Sequence, residues 1–248
     1  MKLNKIEPKF ISKSNPRIGL ITLGSDFRIE KDFNNLIHGK DIDLYVNRIH
    51  CYNPLTNETL AKMAEDITDV TKDILPDQKI DCVAYGCTSG TIAAGYNTIK
   101  SKINLAKPDA KVTTPITSTI KALKKLDIKK ISIFTPYTNA INDSVVSYFK
   151  KENISINSLT YFDIASDLDI GKVDENYLFE VLSKIDLEDS DALFVSCTAL
   201  PVLSIISKLE KKLNKIILSS NQTLIWDTLN LIGYKKSIVG FGKIFEIN

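Results

Sequence analysis

The chain has 248 residues, 44% of them apolar and 25% charged, with a formal net charge of +2. This is the composition of an ordinary globule with ample core, and it excludes disordered, collagen-like and disulfide-framework classes. The lysines occur in ones and twos near predicted element ends (Lys124-Lys125, Lys150-Lys151, Lys211-Lys212) and read as solvated caps, so no nucleic-acid partner is expected. No stretch approaches the roughly 20 apolar residues of a membrane span, and residues 1–15 carry lysines without an apolar core, so no membrane partner and a cytoplasmic location are expected. There, four cysteines read as free thiols. No metal is expected, because Cys-x-x-Cys is absent and His38 and His50 lie away from the cysteine motifs described below.

After a polar leader, Arg17 to Gly24 predicts a first strand, and Ser25-Asp26 offers side-chain oxygens to cap a helix over Arg28 to Ile37. Asp41 to Cys51 predicts a second strand. Between Thr56 and Leu75 apolar residues recur at Leu60, Met63, Ala64, Ile67, Val70 and Ile74, the stripe of an amphipathic helix ended by Pro76. A third strand runs up to Cys87, a helix opens at Ser89-Gly90 and continues to about Ile103, and Lys111 to Ile116 predicts a fourth strand with a helix behind it. Strands alternating with helices imply a parallel sheet with right-handed crossovers.

The pattern then restarts. Lys130 to Thr135 matches the first strand, Ile154 to Tyr161 the second, Asp174 to Ile185 the long helix, Asp191 to Cys197 the third strand, and Ile216 to Ser220 the fourth, before a helix over Thr223 to Leu231. The offset stays at about 105 to 115 residues throughout. The expected fold is α/β: two similar Rossmann-like lobes with parallel sheets, related by a pseudo-two-fold, with the active site in the cleft between them. Residues 1–117 and 233–248 are assigned to the N-terminal lobe and 118–232 to the C-terminal lobe, a short last strand over Ile238 to Phe241 returning to the first. No linker rich in Gly, Pro or Ser separates the halves, so close packing is expected.

The two third strands carry the sharpest signal. Asp81-Cys82-Val83-Ala84-Tyr85-Gly86-Cys87-Thr88 and Asp191-Ala192-Leu193-Phe194-Val195-Ser196-Cys197-Thr198 each begin with Asp and deliver a Cys-Thr pair at the same place. Apolar runs of this length suit strands buried on both faces, and ligands in open α/β sheets bind beyond the carboxyl ends of strands. Cys87 and Cys197 thus become a symmetric pair facing one cleft, each at a strand-to-helix junction. The backbone N–H groups of Thr88, Ser89 and Thr198 point outward there, able to hold a carboxylate and an enediolate-like charge. A thiol titrates close enough to neutrality for one cysteine to act as base and the other as acid. Burial as a small hydrophobe suits Cys51 and Cys82, but it does not explain one Cys-Thr in the same place in both halves.

With one cysteine per lobe, the chain resembles the aspartate/glutamate racemase superfamily, whose members need no cofactor. Gly86-Cys87-Thr88-Ser89-Gly90, Phe134-Thr135-Pro136-Tyr137 and Ser196-Cys197-Thr198-Ala199-Leu200-Pro201 resemble its maleate cis-trans isomerase and arylmalonate decarboxylase branch. The opening Gly19 to Phe27, continuing to Glu30-Lys31-Asp32-Phe33, is similar to the ectoine-utilisation protein A group of that branch. The resemblance covers essentially the whole chain. It implies that Cys87 and Cys197 are the catalytic pair, that Thr88, Ser89, Tyr137 and Thr198 bind a carboxylate, and that the protein is a homodimer or higher homo-oligomer. Maleate isomerases carry Asn after the first strand and again four residues beyond the first cysteine, where this chain has Asp26 and Thr91. As a substrate-binding residue, an anionic Asp26 repels a second carboxylate and suits an ammonium or amide; as a helix cap it has no such role.

These residues support a cofactor-independent racemase or epimerase of a small, amino-acid-like carboxylate, acting by two-cysteine acid/base chemistry. An ectoine-derived N-acetyl-diaminobutyrate is among the substrates the resemblance implies. The alternative is maleate-type cis-trans isomerisation through cysteine addition to a double bond. An arylmalonate-type decarboxylase ranks below both, because those enzymes lack the first cysteine. A non-catalytic small-acid binding protein leaves the paired thiols unexplained.

Overall fold

The computed structural model describes residues 3–11 and 14–247. The first half runs through β1 (Arg17–Leu23), α1 (Ile29–Ile37), β2 (Asp43–Ile49), α2 (Asn57–Lys62), α3 (Ile67–Lys72), β3 (Cys82–Gly86), α4 (Thr88–Ala94), α5 (Tyr96–Ala106), β4 (Lys111–Thr113) and α6 (Pro115–Lys125). The second continues with β5 (Lys130–Thr135), α7 (Asn139–Lys151), β6 (Ser155–Tyr161), α8 (Asp167–Gly171), α9 (Glu175–Leu182), β7 (Ala192–Val195), α10 (Ile206–Leu213), β8 (Ile216–Ser219) and α11 (Ser220–Leu231). All pairings are parallel, in two four-stranded sheets ordered β2-β1-β3-β4 and β6-β5-β7-β8. Equivalent strands hold equivalent places, so the chain has the two-lobed α/β architecture that its repeat predicts.

Helices on both faces of each sheet bury β3 and β7 along their whole length, which is why both read as unbroken apolar runs. Strands β2 and β6 form sheet edges and are mostly half-buried or exposed. The lobes meet where α6 packs against α11. This contact is polar yet satisfied: the Thr119 and Thr223 hydroxyls are 2.9 Å apart, Lys121 Nζ lies 2.6 Å from Asp227 Oδ2, and Thr113 and Ser118 also donate to that oxygen.

Several expectations need correction. The helix expected from Thr56 to Leu75 is interrupted by a 3₁₀ turn at Met63–Asp66. The one expected from Ser89 to Ile103 breaks into α4 and α5 at Gly95, whose φ of +84° lies in the region that glycine favours. Thr114 caps α6 with Pro115 in its first turn, so β4 ends at Thr113. The division expected at 117/118 therefore falls inside a helix. Ile238 to Phe241 forms no strand: Gln222 Nε2 donates to Phe241 O at 2.7 Å, and the following 3₁₀ turn packs on β8 and α11 of the second lobe. An alternating apolar pattern this short fits a clip as well as a strand, and the β4 edge recruits no partner there.

No helix among the described residues is long and apolar enough to cross a membrane.

Candidate active site

Cys87 is the N-cap of α4. Its backbone is extended (φ −144°, ψ 114°), so its side chain turns back over the first turn, where Sγ accepts the Gly90 N–H at 3.2 Å. Ser89 Oγ lies 4.0 Å from the sulfur and Thr91 Oγ1 donates to Cys87 O at 2.7 Å. Burial holds the thiol far above its usual range, and the Gly90 N–H offsets part of that shift. Glycine at position 90 has a steric reason, since a Cβ there would stand 2.8 Å from Cys87 Sγ and 3.0 Å from the Tyr85 hydroxyl. Gly90→Ala is therefore expected to cost about 1–3 kcal/mol by overpacking and to displace the thiol. Calorimetry should show a lowered Tm and ligand-free iodoacetamide labelling an altered rate at Cys87; an unchanged Tm and rate would mean that the neighbours yield freely.

Cys197 follows β7 but opens no helix. Residues Thr198 to Val202 form an irregular turn before a 3₁₀ turn at Leu203–Ile205, because Pro201 biases its predecessor away from helical backbone. The symmetric helix junction expected for the second cysteine is thus absent. Instead Cys197 has φ +93°, which costs a non-glycine residue of the order of 1–3 kcal/mol, and tertiary contacts hold it. Ser220 Oγ, in the first turn of α11, accepts the Cys197 N–H at 3.0 Å and the Thr88 hydroxyl at 2.8 Å, so one oxygen ties both cysteine motifs. Thr198 Oγ1 donates back across the cleft to Gly86 O at 3.2 Å. Asn221 Nδ2 donates to Thr198 O at 2.8 Å and to Asp32 Oδ2 at 2.7 Å, steadying the turn from α1. Burial, then the nearby Asp167, push the Cys197 thiol well up.

Both cysteines line one cavity, together with Leu23, Leu55, Leu60, Thr88, Ser89, Tyr137, Asp167 and Thr198. Its free space is about 10 Å³, the room of a single water molecule. Two chain segments clasp over it: Leu55 N–H donates to Ala165 O at 2.8 Å, and Asn53 Oδ1 accepts the Asp167 N–H at 3.2 Å. Tyr137 is fully buried in the β5–α7 loop, which Asn142 fixes by donating to Tyr137 O at 3.1 Å, and the Tyr137 hydroxyl accepts from Ser196 Oγ at 3.4 Å. Hollows of about 610 and 760 Å³ lie elsewhere, lined by residues such as Lys79 and Asp109; they hold no thiol and border the opposite, amino ends of the strands.

Six of the seven expected residues (Cys87, Thr88, Ser89, Tyr137, Cys197 and Thr198) thus converge, whereas Asp26 does not line the cavity. Its Oδ1 accepts the N–H groups of Arg28 at 2.8 Å and Ile29 at 3.1 Å, capping α1 as its position predicts. Its Oδ2 is buried without a partner, since the neighbouring Thr198 hydroxyl donates to Gly86, and burial raises its pKa. Two residues that sequence reasoning missed complete the wall and its support. Asp167 opens α8 and accepts from Ser25 Oγ at 2.5 Å; burial pushes its carboxyl up to about 6. In the sequence Ser220 stands out only as the last residue of the fourth strand expected over Ile216 to Ser220. Among the described residues no cluster of three or more His, Cys, Asp or Glu is placed to hold a metal.

Residues 52–245 match the family model described as arylmalonate decarboxylase. The chain is 25% identical to a maleate isomerase of Geobacillus stearothermophilus over 246 residues, covering 93% of this chain and 97% of that one. Its fold is similar to that of the maleate isomerase of Pseudomonas putida, with a TM-score of 0.85 at 20% identity, covering 94% of this chain and 99% of that one. A TM-score of 0.87 at 19% identity, with the same coverage, relates it to a cysteine-to-serine variant of Nocardia farcinica maleate cis-trans isomerase that carries a covalently bound succinylcysteine intermediate.

Proposed function

The chain belongs to the arylmalonate decarboxylase family and is an isomerase, and on that premise we propose that it isomerises the double bond of a small unsaturated carboxylate by cysteine addition, without a cofactor. The observation that carries the reading is the convergence of both cysteines on one closed cavity, in a chain whose similarity to maleate isomerases runs nearly end to end. It takes precedence over racemisation, which the two thiols alone suggest equally well.

Cys87 is the nucleophile. After burial, the next largest influence on its thiol is the stabilising Gly90 N–H, whereas for Cys197 it is repulsion by Asp167. The Cys87 thiolate adds to the alkene carbon β to the substrate carboxylate, and the displaced electron pair moves onto the α-carbon and carboxylate. The N–H groups of Thr88, Ser89 and Thr198 and the Tyr137 hydroxyl hold that charge. The Cys197 thiol protonates the α-carbon, giving a saturated thioether whose central bond turns freely. The Cys197 thiolate then takes a proton back, the double bond re-forms, and the carbon–sulfur bond breaks to regenerate the Cys87 thiolate. No net proton is consumed.

Proton NMR in D₂O tests the reaction class. Maleate and its monoamide are offered beside chiral acids, including amino acids and their N-acyl derivatives. Growth of the trans-alkene signals is the expected result. Inversion of a chiral acid with deuterium at its α-carbon, and no alkene isomerisation, would establish the racemase instead.

A further inference from the structure

The cavity wall is chemically lopsided. Thr88, Ser89, Thr198 and Tyr137 line it with amide and hydroxyl groups, the hydroxyls of Thr88 and Thr198 being engaged by Ser220 and Gly86, and Asp167 is the single lining residue with a carboxyl group. Asp167 is 2% exposed, and Ser25 is its only side-chain hydrogen-bond donor among the described residues. Behind it lies Asp26, fully buried, with one carboxyl oxygen lacking a partner. Neither group is paired with a cation among the described residues, and the Arg48 charge eases only Asp26, from a distance. Arg28 directs Nε and Nη2 to Gly171 O, and Arg48 directs Nη1 to Leu23 O and Asp26 O and Nη2 to Glu30. Neither carboxyl makes an ion pair among the described residues. In a cavity this small and buried a like charge is repelled strongly, and the negative charge of Asp167 already disfavours both thiolates.

We propose that Asp167 is a specificity-determining residue: the substrate presents a hydrogen-bond donor to it, an amide or an ammonium, and carries its reacting carboxylate at the opposite, donor-lined end. A donor there satisfies the carboxyl and relieves the repulsion that opposes thiolate formation, while a second carboxylate compounds it. The substrate class is therefore a short unsaturated monoacid with a nitrogen-bearing far end. This rests on the cavity being the reaction site.

Succinate and succinamate test it. They have the same length and differ only in carboxylate against amide at one end, and neither can react. Calorimetry at pH 8 on wild type is expected to show succinamate binding at least tenfold more tightly than succinate, and Asp167→Asn to reduce that preference to threefold or less. Wild type that binds succinate as tightly as succinamate, or binds neither, overturns the proposal, and this result needs no variant to fold. A wild-type preference that survives intact in Asp167→Asn overturns the assignment to that residue. Because binding is read without turnover, a protein that shows the preference but isomerises neither maleate nor its monoamide would refute the reaction and uphold this inference.

Discussion

Cys87→Ser and Cys197→Ser should each lower turnover at least about 10³-fold, the scale of a lost nucleophile or proton donor, while moving Tm by only a few degrees. Serine is nearly isosteric with cysteine, and its hydroxyl can accept the Gly90 N–H or occupy the Cys197 turn, so the fold has little reason to change. A hydroxyl, however, is far too weak an acid to ionise near neutrality or to return a proton to carbon. The two variants should also fail differently. With Cys197 replaced, Cys87 still adds to the alkene, slow protonation of the α-carbon by solvent water gives the thioether, and no thiolate is left to take that proton back, so intact-mass spectrometry should find a substrate adduct on Cys87. Cys87→Ser should form none. The succinylcysteine seen in the related Nocardia farcinica variant is an adduct of this kind. Wild-type turnover in either variant would end the two-cysteine mechanism, and an adduct on Cys197 alone would reverse the roles.

Asp32→Asn should make the protein more stable at pH 8 by about 2 kcal/mol. Burial, partly offset by the Asn221 amide, pushes the Asp32 carboxyl from 3.8 to about 7, and a shift of about three units is worth about 4 kcal/mol. Asp32 keeps some surface in solvent, so about half of that is expected. The folded state binds this proton more tightly than the unfolded state does, so stability from this group is greatest below about pH 4 and is lost as pH rises through about 7. Asp167, held near 6, acts in the same direction. Asparagine keeps the oxygen that accepts from Asn221 and removes the charge. Urea unfolding at pH 4, 6 and 8 should give wild type the steeper decline, with the gap to Asp32→Asn smallest at pH 4 and widening through pH 6 to pH 8. Equal slopes would mean that Asp32 ionises without cost.

What could be read from the sequence alone was whatever burial and chain direction impose locally. Val83 and Phe194 are apolar because their strands are covered on both faces, and that pattern, repeated at a near-constant offset, was enough to specify two parallel sheets and to put Cys87 and Cys197 at their carboxyl ends. Asp26 was legible as a cap because capping is settled within three residues. Packing between segments decided the rest. Asp167 lies on a five-residue helix without an apolar stripe, and it reaches the cavity only because the segments around Leu55 and Ala165 clasp across the cleft. Ser220 bridges both cysteine motifs only because α11 docks against the first lobe. The left-handed turn at Cys197 reflects Pro201 together with contacts from Ser220 and Gly86, whereas the same Cys-Thr wording in the first half opens a helix. Local periodicity encodes which side of an element is buried; it carries no information on which distant side chains meet, and those meetings set the charge of this cavity.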